Sequence, residues 1–214
     1  MPKLSSNKSS RLGGRRGADS YGRRSPSREP LPLLLIVCEG ESTEPNYFHE
    51  LKKRVRVSNF RIKVEKGSGG STLNVVECAS QLMQEDEYDE VWCVIDTEIL
   101  ATNKSFDAAV KLAVHSGIKL AISNPAFEYW YVLHIQETSR GFTSVAQLIT
   151  FLTGILPGYK KSTSYTPHIF DRIDIAIVCA EKLLRSQATS TDPYPHPSTN
   201  VFELVRRLHS EKPY

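Results

Sequence analysis

The sequence has no long apolar stretch, and its cysteines are few and scattered. No apolar run reaches the roughly 18 residues of a membrane-spanning helix, and the N-terminus lacks the apolar segment of a secretory signal. We therefore expect a soluble, cytoplasmic protein without a membrane partner. The four cysteines form no CxxC pair, which argues against a zinc site or a disulfide framework and predicts reduced thiols in the core.

The positive charge is concentrated at the N-terminus of the 214-residue chain. Residues 1–30 carry eight Lys or Arg and two acids, a net charge of +6, whereas the remaining residues carry 19 basic and 22 acidic side chains, a net charge of −3. Because this segment is mainly Ser, Gly, Arg and Pro, with almost nothing to bury, we predict that it is disordered. It is either a solvated extension or a tether for nucleic-acid phosphates, which attract Arg and Lys irrespective of sequence.

Two apolar segments end in acidic residues. The run at 33–37 is followed by CEGE at 38–41, and the run at 91–95 is followed by DTE at 96–98. Apolar runs of this length, bounded by turn signals, are typical of strands covered on both faces of a parallel sheet. Because ligands and catalytic groups lie at the carboxyl ends of such strands, the two segments predict one shared acidic site.

Helical segments separate these strands and predict an α/β fold, with a mostly parallel sheet flanked by helices. A third buried strand is predicted at 118–122, and the alternating pattern at 60–65 predicts a half-exposed edge strand. The first predicted helix begins at Thr43. The other predicted helices are Thr72 to about Gln84, Phe106 to His115 (ended by Gly117), Phe127 to His134, Val145 to Leu152, Ile169 to Leu184 and Val201 to Leu208. We expect residues 31–214 to form one domain that is helical after about residue 140.

Finer predictions concern the first two helices. Thr43 is a candidate cap of the first helix, whose core side chains are predicted to be Tyr47, Phe48 and Leu51. Thr72 is the predicted cap of the second helix. Its inward residues are predicted to be Leu73, Val76, Ala79, Leu82 and Met83.

Several acidic side chains are predicted to share one cleft at the strand ends. Glu39, Asp96 and Glu98 form this cluster, with Glu41 and Glu128 as further members. Such a cluster repels itself unless a cation is present, and oxygen ligands alone favour Mg²⁺ or Mn²⁺. Metals held by carboxylates support in-line displacement at phosphodiesters. Alternatively, each acid is only a polar residue at the end of its strand, and Glu128 is only stabilised by its helix dipole.

Two loops bear on phosphate binding. Lys160 and Lys161 belong to the basic, tyrosine-bearing segment 158–165, where they are either solvated or hold phosphates beside stacked bases. The GSGGS segment at 67–71 lacks the Lys-Ser/Thr ending of a phosphate loop. We predict a flexible turn there.

The order of the acidic motifs resembles that of Toprim domains, in which Glu-Gly follows one strand and Asp-x-Asp follows another. Glu39-Gly40 and Asp96-x-Glu98 occupy those positions here. More specifically, the chain is similar to the RloB-like family of restriction and phage-defence loci. The segments that carry this similarity are VCEGESTEPNYF at 37–48, VWCVIDTE at 91–98, AISNPAFEYWYVLH at 121–134, GYKK at 158–161 and PSTNVFELVRRL at 197–208.

The resemblance implies a Toprim fold, dependence on Mg²⁺ or Mn²⁺, and cleavage of nucleic acid. The implied roles are acid or base beside the metal for Glu39, ligand for Asp96 and Glu98, additional ligand for Glu128, and phosphate binding for Lys160 and Lys161. Glu98 departs from the family pattern, because Toprim domains have Asp at that position. One extra methylene can shift the coordination geometry, reduce activity or favour another metal.

Three functions are compatible with these features. The first is a metal-dependent nuclease, with RNA favoured over DNA by analogy with defence proteins that cut host tRNA. The second is a Toprim-shaped module that binds RNA or DNA without cutting it. The third is an interaction subunit that works with a separate ATPase, a common pairing in defence operons. No RNA-recognition motif, helix-turn-helix or zinc finger is present to distinguish RNA from DNA.

Overall fold

A five-stranded sheet lies at the centre of the computed structural model, which describes residues 31–54, 61–67, 71–98, 105–161 and 169–209. The strands in chain order are β1 (Leu33–Cys38), β2 (Arg61–Lys66), β3 (Glu90–Asp96), β4 (Lys119–Asn124) and β5 (Ser198–Thr199). Their order across the sheet is β2-β1-β3-β4-β5. The first four strands are parallel, and β5 pairs antiparallel with β4. The predicted mostly parallel sheet is therefore confirmed, with β2 at its edge.

Seven α-helices flank the sheet within the described residues. They are α1 (Thr43–Arg54), α2 (Thr72–Glu85), α3 (Phe106–Ser116), α4 (Glu128–Ile135), α5 (Val145–Ile155), α6 (Ile173–Ser186) and α7 (Val201–His209), and a 3₁₀ turn (Phe170–Arg172) precedes α6. Gly117 ends α3 in the left-handed conformation, at φ 68°, as predicted. This arrangement confirms the expected Rossmann-like α/β fold.

Alternate residues of β1 face opposite sides of the sheet and belong to two separate cores. Leu35 and Val37 pack in the core that contains α2 and α3. Leu34, Ile36 and Cys38 pack in the larger core formed with α1, α4, α5, α6 and α7. Because helices cover both faces, the strand must be apolar at every position. This explains the uninterrupted apolar run in the sequence.

The predicted core residues of α1 are confirmed and the helix begins at Thr43, whose role as its cap stays a prediction. The predictions for α2 need correction. Tyr47, Phe48 and Leu51 are buried as expected. Ser71, and not Thr72, caps α2, because its hydroxyl accepts a hydrogen bond of 3.3 Å from the Asn74 backbone N–H. Met83 was predicted to face inward but is 37% exposed, and Leu73 and Leu82 are only partly buried. Val75, which the prediction did not include, is fully buried. The buried side of α2, which packs against the sheet and α3, is therefore shifted toward Val75 and away from Met83 relative to the prediction.

The C-terminal portion is not entirely helical, because β5 adds an antiparallel strand to it. The hydroxyls of Ser123 and Thr199 are hydrogen-bonded at 3.0 Å across this pairing. The side chain of Asn200 accepts from the Ile122 backbone N–H at 2.5 Å and donates to the Leu120 carbonyl at 3.1 Å. Two residues are too few to produce an alternating pattern, so the sequence contained no signal for this strand.

Some predictions fall on residues that the structure does not describe. These are the disorder predicted for residues 1–30, the middle of the predicted GSGGS turn at 68–70 and the end of the basic segment at 162–165. The cysteines lie within the described residues as free thiols, with Cys38, Cys93 and Cys179 buried and Cys78 half-buried. No described helix has the length and apolar character needed to cross a membrane.

An ion network at the amino ends of the strands provides a test of stability. Glu90 accepts hydrogen bonds from Arg207 at 2.8 Å and from Lys119 and Trp92 at 3.2 Å. Partial burial alone would raise the pKa of Glu90, but these hydrogen bonds lower it below its ordinary value. Its ionised form therefore stabilises the fold above its ordinary pKa, and this contribution is lost as the pH falls through the lowered pKa.

We expect Glu90→Gln to reduce the free energy of unfolding by about 1 kcal/mol at pH 7, a small value because the network is partly exposed. Urea titrations at pH 7 and below pH 4 measure this effect, and the difference from the wild type should shrink at the lower pH. Glu65→Gln is the matched control, because Glu65 forms an exposed ion pair with Lys63 at 3.5 Å. Equal effects of the two substitutions would contradict the prediction.

Candidate functional site

The carboxyl ends of β1 and β3 bring two predicted acids together. Cys38 pairs with Val94 in the sheet register, and the Glu39 backbone N–H donates to the Val94 carbonyl at 3.0 Å. The Asp96 backbone N–H in turn donates to Glu39 Oε2 at 3.0 Å. The sheet register therefore confirms that Glu39 and Asp96 lie at the same edge, as the strand ends predicted.

The carboxylate of Glu39 is fixed by hydrogen bonds to both of its oxygens. Besides the bond from Asp96, the hydroxyl of buried Thr72 donates to Oε1 at 3.2 Å. Thr72 begins α2, so this helix start contacts the site directly. A carboxylate held at both oxygens keeps one orientation while retaining free lone pairs for a ligand or a proton.

Asp96 continues the side of β3 that faces α1 and α4, and it lines the same cavity as Glu39. Along β3, Trp92 and Val94 belong to the core shared with α1 and α4, and Asp96 follows the same alternation. Its Oδ1 is shielded from solvent and has no hydrogen-bond partner among the described residues. A buried carboxylate oxygen without a partner is costly and calls for an explanation such as a missing ion.

Glu44 is a member of the site that the sequence analysis did not identify. It lies in the first turn of α1, is only 4% exposed, and lines the same cavity as Glu39 and Asp96. Its carboxylate lies directly against Gly40, where an added Cβ would come within 2.0 Å of Glu44 Oε2. Gly40 is therefore needed for close approach rather than for an unusual backbone angle. An acid in the helix turn just after an acidic strand end was the available signal.

Glu128 and the basic segment meet at the other side of the cavity. Glu128, at the start of α4, is 2% exposed and receives a hydrogen bond from the Tyr159 hydroxyl at 3.2 Å. The Lys161 ammonium lies 3.2 Å from the same Oε1 atom. The Thr43 hydroxyl, 3.5 Å away, donates to the Lys161 carbonyl and ties this segment to α1. Lys160 is exposed and is not among the cavity-lining residues, so the structure brings only one of the two predicted lysines into the site.

Glu98 and Glu41 lie at the exposed rim of the cavity. Glu98 has a left-handed backbone, at φ 51°, and its N–H donates to the Pro125 carbonyl at 2.8 Å. Asp and Asn adopt this conformation more readily than longer side chains. The backbone conformation at position 98 would therefore suit Asp, the residue of the Toprim pattern, better than it suits Glu98.

The acids surround a cavity of about 440 Å³. Burial raises the pKa of Glu39, and nearby Glu98 raises it further, against the hydrogen bonds from Asp96 and Thr72. Burial, with a contribution from Glu128, raises the pKa of Glu44 to about 7. The pKa of Asp96 is raised well above its ordinary value by burial and by the charges of Glu44 and Glu128.

The cavity thus concentrates mutually repelling carboxylates, and Lys161 is the only counter-charge among the described residues that line it. Within the parts of the chain that the structure describes, no three Asp, Glu, His or Cys side chains are already arranged as a metal-binding group. The donor chemistry therefore fits a hard cation, but side chains would have to move for several of them to contact one ion.

Comparison with known protein families identifies the family of this chain. A family model described as RloB-like protein matches residues 34–208. The chain belongs to the RloB-like family. The match runs from β1 into α7 and includes every cavity-lining residue, whereas the basic segment 1–30 lies outside it. The resemblance seen in the sequence motifs is therefore confirmed for this RloB-like chain. Comparison with curated proteins and with solved structures gave no match.

Proposed function

We propose that this RloB-like chain is a metal-dependent nuclease of the Toprim type that cuts RNA, possible substrates including tRNA, in phage defence. The observation that carries the proposal is the unpartnered, buried Oδ1 of Asp96, which belongs to a cluster of carboxylates at the carboxyl end of the sheet. An ion-free cluster of this kind is electrostatically unfavourable. A divalent cation supplies the missing partner.

The residues that would hold Mg²⁺ or Mn²⁺ are Asp96 and the neighbouring carboxylates of Glu39, Glu44, Glu98 and Glu128. All are hard oxygen donors, the ligands that these cations prefer. When bound, such a cation neutralises charge on a phosphodiester and favours attack by water. Glu44, which is buried, joins these acids in the cavity lining, whereas Glu41 lies at the exposed rim.

Glu39 is the best candidate for moving a proton. Its carboxylate is fixed by Asp96 and Thr72, and burial raises its pKa above the ordinary value, which is the direction that favours proton transfer by a carboxylate. Lys161, on the opposite wall, carries the charge that would hold a substrate phosphate. Exposed Lys160 would contact the backbone farther from the scissile bond.

RNA is proposed as the substrate on the strength of the family resemblance, since restriction and phage-defence proteins of related type cut host tRNA. The basic segment 1–30, with its net charge of +6, would add affinity for any polynucleotide and make that affinity depend on salt. Specificity must then come from the cavity and the segments around it.

The decisive experiment incubates the purified chain with labelled tRNA, single-stranded RNA and duplex DNA, each with Mg²⁺, Mn²⁺ or a chelator. We expect cleavage of RNA with a divalent cation and none with the chelator. Cleavage of duplex DNA alone would reverse the substrate preference.

A second candidate function is a Toprim-like module that binds nucleic acid or a partner ATPase without cutting. The observation in its favour is that no described group of three acids is already arranged around a metal position. Failure of every cation to support cleavage, together with retention of labelled RNA in a mobility-shift assay, would favour this function.

A further inference from the structure

The outward face of α6 exposes two large apolar side chains. Ile175 is 45% exposed and Val178 is 60% exposed, and they lie one helical turn apart. The other large exposed apolar residues in the described parts of the chain, Leu31, Met83 and Val114, lie on different segments of the fold. Single exposed apolar residues are ordinary on protein surfaces, whereas a pair on one helical face indicates a contact surface.

Charged residues are arranged symmetrically about Val178 on the same face. Asp174 and Lys182 lie four residues before and after it, and Asp171 and Arg185 lie seven residues before and after it. All four side chains are at least 66% exposed. Steps of three and four residues keep Asp174, Lys182 and Arg185 on the same side of α6 as Val178, and Asp171 lies in the 3₁₀ turn that leads into this helix. The face is therefore acidic at its N-terminal end, apolar at its centre and basic at its C-terminal end.

We infer that this face binds a second copy of the chain, with the two α6 helices antiparallel about a two-fold axis at Val178. In this arrangement a residue that precedes Val178 by a given number of positions faces the residue of the second copy that follows Val178 by the same number. Asp171 then faces Arg185 of the second copy, Asp174 faces Lys182, and Val178 faces itself. A self-complementary pattern of this kind is what an isologous dimer interface requires. Parallel pairing would instead oppose like charges.

A groove beside α6 is placed to receive an apolar side chain from the second copy. Its volume is about 340 Å³, and its lining consists of Cys179, Lys182, Leu183 and Ser186 from α6 together with Glu137, Thr138 and Ser139. In the antiparallel arrangement, Ile175 of the second copy faces position 181, next to these residues. Ile175 and the groove thus lie along the same helix, and the two-fold axis brings Ile175 of one copy beside the groove of the other.

The charges on this face are engaged within the chain only by exposed ion pairs. These pairs are Asp171–Arg54 at 3.9 Å, Asp174–His209 at 3.4 Å, Arg185–Glu181 at 3.9 Å and Lys182–Glu137. Exposed pairs contribute little to stability, so exchanging or sharing them with a second copy costs little. One helix face buries less than the roughly 800 Å² per partner of a standard interface. We therefore expect association in the micromolar rather than the nanomolar range.

Sedimentation equilibrium of the full chain, from about 1 to about 200 μM, tests this inference. The apparent mass should rise from 24.1 kDa toward twice that value with concentration. Asp174→Lys and Lys182→Asp should each weaken dimerisation about tenfold, because each opposes like charges twice across the two-fold axis. The double variant restores opposite charges and should recover most of the lost affinity. No other partner chemistry predicts this recovery.

Val178→Glu places two carboxylates against each other at the axis and should also weaken dimerisation about tenfold. Val114→Glu is the matched control, since Val114 is 77% exposed on another helix and should leave association unchanged. Both positions are exposed, so neither variant should unfold. A chain that stays monomeric at every concentration would overturn the inference. So would equal effects of the two Val→Glu changes, or a double charge variant no better than the single ones.

Discussion

Asp96→Asn is expected to abolish RNA cleavage without unfolding the chain. The substitution is nearly isosteric and leaves the backbone N–H that donates to Glu39 in place. It removes the carboxylate whose Oδ1 lacks a partner, and with it the strongest candidate ligand of the proposed cation. We expect the cleavage rate to fall at least about 100-fold. Single-turnover assays on labelled RNA, with the metal concentration varied, measure the loss.

The same substitution should raise the free energy of unfolding of the metal-free chain at neutral pH. Because the folded state raises the pKa of Asp96, ionisation of this group disfavours folding. The cost is absent below the unfolded pKa of about 3.9 and is complete above the raised folded pKa. Glu44, whose pKa is raised to about 7, extends the loss of wild-type stability over the range from about pH 4.5 to about pH 7. Chemical unfolding across this range, with a chelator present, should show a weaker pH dependence in Asp96→Asn.

Glu39→Gln provides a parallel test at the second strand end. The side-chain oxygen of Gln can still accept a hydrogen bond, but the negative charge and the proton-accepting carboxylate are lost. Cleavage should therefore again be abolished. The exposed Glu77→Gln on α2 is the control and should change neither activity nor stability. Wild-type cleavage by both site variants would contradict the nuclease proposal at these residues. If the variants lose cleavage only because they unfold, the predicted separation of activity from stability is contradicted.

The sequence predicted the elements whose signals are local and repeated. The apolar runs of β1 and β3 marked buried parallel strands, and their ends marked Glu39 and Asp96 as neighbours, because parallel strands place their carboxyl ends at one edge. Lys161 was predicted together with Lys160 as a pair. Only the fold distinguishes them, since Lys161 alone reaches the buried Glu128.

Other features depended on tertiary contacts that leave little trace in sequence. An acid in the first turn of a helix is normally explained by the helix dipole, so Glu44 was overlooked although it follows an acidic strand end, and nothing in the sequence indicated its burial against Gly40. Thr72 was predicted as a cap, but its hydroxyl is used by Glu39 while Ser71 caps α2. Strand β5 was missed because its pairing with β4 spans only two residues.

Gly40→Ala is expected to reduce cleavage about 100-fold, because small displacements of catalytic groups have effects of that size. The new Cβ would lie 2.0 Å from Glu44 Oε2 and 2.6 Å from its Cδ, so the carboxylate must move away from the cavity wall. The obstructing atoms are the end of a flexible side chain. The free energy of unfolding should therefore change by no more than about 1 kcal/mol. Activity and stability measured on the same preparation separate these two effects.

Gly154→Ala is the matched control for the glycine substitution. Gly154 lies on the exposed side of α5 with no atom within 4 Å of an added Cβ, so the change should raise stability by about 0.5–1 kcal/mol and leave cleavage unaltered. A double-mutant cycle identifies the route by which Gly40 acts. If Gly40 matters because Glu44 packs on it, Gly40→Ala should have almost no further effect on cleavage in a Glu44→Ala chain that retains measurable activity. An undiminished effect in that background would show that Gly40 acts through the backbone of the loop after β1 and not through Glu44.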